Sequence, residues 1–143
     1  MERSLVALIF ALVSAVTFAQ NEPLDVFPER QELLNGKTLI FEYTNGWGFA
    51  LSFYDNMLRY QFRRDLNNPE GVGSRNQDIP YRSRKVGDNL YQIMWHEPDV
   101  KDVVTMLINF NTSTLYAAGL LGYDENKYEV FEGAIIQQVI EDE

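Results

Sequence analysis

Leu39-Ile40-Phe41-Glu42-Tyr43-Thr44-Asn45-Gly46-Trp47-Gly48-Phe49-Ala50-Leu51-Ser52-Phe53 carries two alternating runs on either side of one Asn-Gly pair. Alternation with a period of two sends successive side chains to opposite faces of a strand. Asn-Gly is a strong signal for a two-residue hairpin turn. The stretch predicts two antiparallel strands, Lys37 to Thr44 and Gly48 to Tyr54, with Leu39, Phe41, Tyr43, Phe49, Leu51 and Phe53 on one shared face.

The rhythm continues forward. Asp55-Asn56 marks a turn, and Met57 to Arg64 sets Leu58, Tyr60 and Phe62 against Arg59, Gln61 and Arg63. One apolar and one wet face is the pattern of an antiparallel sheet. Asp65 to Gln77 breaks the pattern with turn chemistry, Asn67-Asn68-Pro69-Glu70-Gly71, and reads as the longest loop. Strands resume at Asp78–Val86, Leu90–Glu97, Asp102–Phe110, Thr114–Leu121 and Lys127 to about Val139. Pro80 lies near the start of the fourth, where an edge or bulge tolerates its missing N–H. Gly133 marks a candidate bulge in the last.

Eight sequential strands without βαβ alternation leave two raw edges unless the sheet closes. The expected fold is therefore all-β: an eight-stranded antiparallel up-and-down barrel, wide enough to be filled by side chains or to hold one small ligand. Backward from Lys37, Asp25 to Leu34 predicts one short helix, with Pro28 in its first turn and Asn35-Gly36 as its stop. It would cap one end of the barrel.

Residues 1–19 read differently. A short polar start, an apolar run from Leu5 to Val13 and small residues at Val16-Thr17-Phe18-Ala19 are the parts of a secretory signal peptide cleaved after Ala19. The run is shorter than the roughly 20 residues of a spanning helix. The expected organisation is a signal peptide at 1–19, an N-terminal segment with the short helix at 20–35, and the barrel at 36–143. The expected location is secreted or extracytoplasmic, with no membrane attachment after cleavage. Asn111-Thr112-Ser113 is an N-glycosylation sequon in an expected turn.

Composition narrows the chemistry. The absence of cysteine excludes disulfides, thiol nucleophiles and thiolate metal ligands, and a single histidine, His96, excludes a multi-histidine metal site. His96 alternates outward and leaves the serines without a partner of the catalytic-triad kind. A net charge of −9 argues against a nucleic-acid partner. No metal or cofactor is expected; the expected partner is a small molecule.

The inner row of the fifth strand is Tyr91, Ile93, Trp95 and Glu97, stopped by Pro98. A carboxylate that follows two aromatics inward is either a structural acid or the acid of a ligand site. Buried, it needs partners or it stays protonated. The seventh strand offers small inward residues, Ala117 and Gly119, opposite aromatics. That arrangement leaves room for a cavity or is filled by close packing. A ligand in such a cavity would meet Phe41, Tyr43, Tyr60, Tyr91, Trp95 and Glu97.

Three segments together, Phe41-Glu42-Tyr43-Thr44-Asn45-Gly46-Trp47, Tyr91-Gln92-Ile93-Met94-Trp95-His96-Glu97-Pro98 and Asp102-Val103, resemble the phenolic acid decarboxylases and the related domain of molybdenum cofactor biosynthesis protein F. Both groups belong to the lipocalin-like calycin barrels. The resemblance covers about Gly36 to Val139. It implies a calycin barrel and, on the decarboxylase side, cofactor-free loss of carbon dioxide from hydroxycinnamic acids through a quinone methide. The proton-handling glutamate of that family falls on Glu97, the second tyrosine of its first strand on Tyr43, and its arginine on Arg75 after Gly71-Val72-Gly73-Ser74. The first family tyrosine falls on Phe41, which lacks the hydroxyl. Two functions follow as expectations: a secreted barrel that binds a small, largely apolar ligand, aromatic acids among the candidates, or a decarboxylase using Glu97, Tyr43 and Arg75.

Overall fold

In the structure, a computed structural model, the strands Lys37–Tyr43, Gly48–Tyr54, Met57–Arg64 and Leu90–Glu97 bury or half-bury the side chains that the sequence sets on one face. The structure describes residues 31–64, 75–124 and 128–142. The strands are β1 (Lys37–Tyr43), β2 (Gly48–Tyr54), β3 (Met57–Arg64), β4 (Arg75–Gly87), β5 (Leu90–Glu97), β6 (Asp102–Asn109), β7 (Thr114–Leu121) and β8 (Tyr128–Glu141). Each pairs antiparallel with the next, and β8 returns to β1, so the sheet closes into a barrel. Closure removes both edges.

Local turn chemistry differs in detail from expectation. At Asn45-Gly46 the strands are joined by a longer turn. The Gly46 amide bonds the Tyr43 carbonyl, the Tyr43 amide bonds the Trp47 carbonyl, and Gly46 takes a φ of 88°. The Asn45 side chain caps the turn by accepting from the Trp47 amide at 3.0 Å. The tight connection is Asp55-Asn56, where both residues have positive φ, 47° and 63°. These short polar side chains tolerate the left-handed region best after glycine.

The seam between β3 and β4 is irregular. Its register jumps from Leu58↔Ile79 to Tyr60↔Arg75, and β4 begins at Arg75, inside the expected loop. Pro80 pairs with Met57 at this seam and contributes no N–H. Outside the seam, Asp78 accepts from Arg59 Nε at 2.6 Å and from the Tyr54 hydroxyl, so three strands are tied across the gap. The bulge in β8 lies at Gln137, not at Gly133: Ile40 pairs with Gln138 and Phe41 with Ile136. Gly133 instead lies in register with Tyr116, with room for a Cβ at 3.5 Å from that ring.

One end of the barrel is filled. Leu34, Leu39, Phe53, Leu58, Ile79, Tyr81 and Ile93 are all buried there or in the adjoining middle of the barrel. Of the helix expected over Asp25–Leu34, the described part is one 3₁₀ turn, Gln31–Leu34; the rest lies outside the described residues, as does the segment 1–19 expected to be a signal peptide. That turn inserts Leu34, fully buried, beneath the strands. Asn35 secures it: its Oδ1 accepts from the Tyr81 hydroxyl at 3.1 Å and from the Asn56 amide at 3.2 Å. The turn thus plugs the end formed by the β2–β3, β4–β5 and β6–β7 connections. At the same end Asn111, the sequon residue, is exposed. Its side-chain amide donates to the Asp88 carbonyl and accepts from Asn89, both at 2.9 Å, which joins two turns.

Candidate ligand-binding site

The opposite end is where β1–β2, β5–β6 and β7–β8 connect, and it remains open inside. A cavity of about 190 Å³ lies there. Its walls are mainly aromatic because β1, β2 and β3 each send alternate aromatic side chains inward. Phe41 stacks on Phe49 with centroids 5.7 Å apart, and Tyr43 meets both rings edge to face at 5.4 and 5.6 Å. Trp47 packs edge to face on Phe62 at 5.9 Å. Such offset and T-shaped contacts hold large rings in fixed orientations.

Three acids border the same space: Glu97, Asp102 and Glu132. Glu97 ends the inner row of β5 and is 3% exposed. Its Oε1 accepts a hydrogen bond of 3.0 Å from Trp95 Nε1, two positions back on the same face. Asp102 is the cross-strand partner of Glu97 at the start of β6, and its Oδ1 accepts from the Gly122 amide at 2.8 Å. Glu132 comes from β8 and accepts from the Thr44 hydroxyl at 3.2 Å. Burial, with the charge of Glu132 adding to it, pushes the Tyr43 hydroxyl well above the usual tyrosine range, so Tyr43 is neutral in the fold. Among the described residues no three His, Asp or Glu side chains are grouped closely enough to hold a metal ion.

Phe41, Tyr43, Tyr60, Trp95 and Glu97, all singled out in the sequence, meet at this cavity. Tyr91 does not reach it; it sits toward the filled end, 5.6 Å from Phe110. The backbone of Arg75 pairs with Tyr60, and its side chain lies outside the described residues. Neither Ala117 nor Gly119 borders the cavity. Gly119 has another cause: a Cβ there would lie 2.5 Å from the Val103 carbonyl oxygen, so the residue lets β6 and β7 approach closely.

Sequence reasoning did not assign Trp47, Asp102 or Glu132 to the site. Trp47 follows the hairpin turn, and Asp102 resembles a loop charge. Glu132 is the one with a readable signal: it shares parity with Val130, Ala134 and Ile136, which places it on the inner row of β8.

The family model for MoaF-like proteins matches residues 35–135. The chain belongs to the MoaF-like family. All three cavity acids and both tryptophans of this MoaF-like barrel fall within that span, whereas the 3₁₀ turn and the β8 bulge fall outside it. Among solved structures the barrel is similar to a Burkholderia vietnamiensis protein described as a "putative beta-lactamase", with a TM-score of 0.58 and 16% identity over 75% of this chain and 98% of that one. At that identity the likeness establishes the fold alone. None of the curated proteins compared is similar to this chain in sequence.

Proposed function

We propose that this MoaF-like barrel binds a small, largely apolar ligand in the cavity at its open end, and that it does so outside the cytoplasm. The observation that carries the reading is the cavity itself: about 190 Å³, walled by aromatic side chains, with a few polar groups at one end. Pockets for small ligands have that composition. For comparison, an apolar cavity of about 150 Å³ accepts one benzene. Residues 1–19 support the location, because they have the pattern of a signal peptide.

Trp47 and Trp95 both border the cavity, so intrinsic fluorescence reports on it directly. Titration with hydroxycinnamates, aromatic amines, retinoids and fatty acids should shift or quench emission for at least one class. A flat response to all of them from folded protein overturns the reading. N-terminal sequencing of exported protein should begin at Gln20.

The second reading is cofactor-free decarboxylation of a hydroxycinnamic-type acid. It is favoured by the meeting of Tyr43 and Glu97 at one cavity. Glu97 would handle the proton, while Tyr43 and Arg75 would orient the substrate. Phe41 stands at the cavity where that chemistry would use a second hydroxyl. The test is loss of cinnamate absorbance with p-coumarate or ferulate; equal activity of wild type and Glu97→Gln would remove Glu97 from the mechanism.

A further inference from the structure

We infer that two copies of this barrel pack together about a two-fold axis through the outer face of β5, β6, β7 and β8, with Phe131 of each copy seated in a groove of the other. The inference concerns the outside of the wall and holds whatever the cavity binds.

The sequences of β6 and β7 are apolar on both faces. Val103 and Leu107 alternate with the inward Val104, Met106 and Ile108, and Tyr116, Ala118 and Leu120 alternate with the inward Leu115 and Ala117. A strand with one wet face sets polar residues there instead. Register makes the outward residues contiguous. Met94, Thr105, Ala118 and Phe131 stand side by side across the four strands. The row Gln92, Leu107, Tyr116 and Gly133 lies on one side of them, and the row His96, Val103, Leu120 and Glu129 on the other. Glu129 is the one formal charge in these three rows, and it lies at their edge. The outer rows of β3 and β4, by contrast, expose Arg59, Arg63, Asp78, Arg82 and Arg84. Aromatic and methionine side chains with few charges are the composition of an interface core. The arginines on the other side break the apolar belt that a bilayer-spanning barrel needs.

Shape and area point to a second copy. In the central row the exposed Met94 and Phe131 flank the shorter Thr105 and Ala118, and a shallow groove runs beside Phe131, bordered by His96, Thr105, Ala118 and Leu120. A two-fold axis lets the ridge of each copy enter the low floor of the other, so the same contact forms twice. Phe131 and Tyr116 are 89% and 59% exposed. At about 150–250 Å² per aromatic side chain, these two alone offer on the order of 300 Å². Met94, Leu107, Leu120 and Ile135, each at least 37% exposed, extend the face. It then reaches the top of the range of about 300–600 Å² for the largest apolar patch on a typical monomer. Two such faces with their polar rims supply the about 1,200–2,000 Å² of a stable interface.

The test is the oligomeric state of the mature protein, by sedimentation velocity and light scattering from low micromolar to near-millimolar concentration. The upper end should give a particle of twice the chain mass. Phe131→Glu puts a charge at the centre of the face, on a side chain too exposed to carry the fold, and should raise the dimer dissociation constant by about thirtyfold or more. Tyr116→Lys should do the same with the opposite charge, and it decides if the first variant fails to fold. Gln61→Glu, exposed on the outer face of β3, should leave the dimer unchanged. A monomer at every concentration overturns the inference, including one whose face is covered by residues 20–30 or adsorbs to lipid vesicles. So does a dimer that Phe131→Glu and Tyr116→Lys both leave intact. Ligand titrations read the cavity separately, because none of the three substituted side chains borders it.

Discussion

Trp95 Nε1 donates to Glu97 Oε1 at 3.0 Å, a bond between two neighbours on one face of one strand. The geometry is local, but its value depends on burial, because a carboxyl that is 3% exposed has few alternatives to a protein donor. Trp95→Phe keeps most of the packing and deletes the donor. It should destabilise the barrel by about 1–3 kcal/mol in equilibrium denaturation. Trp47→Phe, at the mouth, should cost less in the same assay. Equal losses would show that the indole hydrogen bond is not what matters at Trp95.

The plug at the filled end makes a separate prediction. Leu34 is fully buried although it lies in a four-residue 3₁₀ turn ahead of the barrel. Leu34→Ala should lower stability by about 2–5 kcal/mol, as for other core leucines. Ligand affinity should not change once the protein is folded, because the cavity is at the other end. Urea denaturation and fluorescence titration of the same variant check both statements.

Gly119 and Gly133 invite a paired substitution. A Cβ at Gly119 would meet the Val103 carbonyl at 2.5 Å, and that oxygen is backbone, so β6 and β7 must separate. Gly119→Ala should destabilise by about 1–3 kcal/mol. A Cβ at Gly133 finds its nearest neighbour, the Tyr116 ring, at an ordinary 3.5 Å. Gly133→Ala should be neutral or slightly stabilising. The difference between their thermal midpoints is the measurement.

Tyr43 sets an alkaline limit. Its hydroxyl is held above the usual range by burial and by Glu132, whereas in the unfolded chain it titrates near 10. Below pH about 10 both states are protonated and its contribution is fully present. Above that, the unfolded chain loses the proton first, and stability falls as pH rises toward the folded value. Denaturation midpoints between pH 8 and 11 should drop for the wild type and drop less for Tyr43→Phe.

Asp78 acts in the opposite direction. Hydrogen bonds from Tyr54 and Arg59 hold its carboxyl below the usual range. Its contribution is present above pH about 4, where the unfolded carboxyl is also ionised, and is lost as pH falls through the lower folded value. The Tyr54 hydroxyl is pushed up to about 12, by desolvation and by its bond to Asp78. Asp78→Asn should reduce the acid-side slope of stability between pH 5 and 2 and leave the cavity unaffected.

The strand count, the inward set and the direction of Glu97 were legible in the sequence, because alternation in a strand is a local property of the backbone. Leu39-Ile40-Phe41 and Trp95-His96-Glu97 each state which side chain shares a face with which. Residues 31–34 carry the local signals of a helix end, and local propensity alone does not show that one 3₁₀ turn plugs the barrel. Only closure of the sheet brought Glu132 beside Thr44 and Tyr43, some ninety positions earlier in the chain. That neighbourhood depends on the register of β8 against β1. Register is a relation between segments, set by the β8 bulge at Gln137 and by where the sheet closes, and neither segment carries it alone. The sequence by itself determined the strands and their inner faces; the tertiary structure decided which inner residues meet at the open end, and so gave the cavity its acidic mouth.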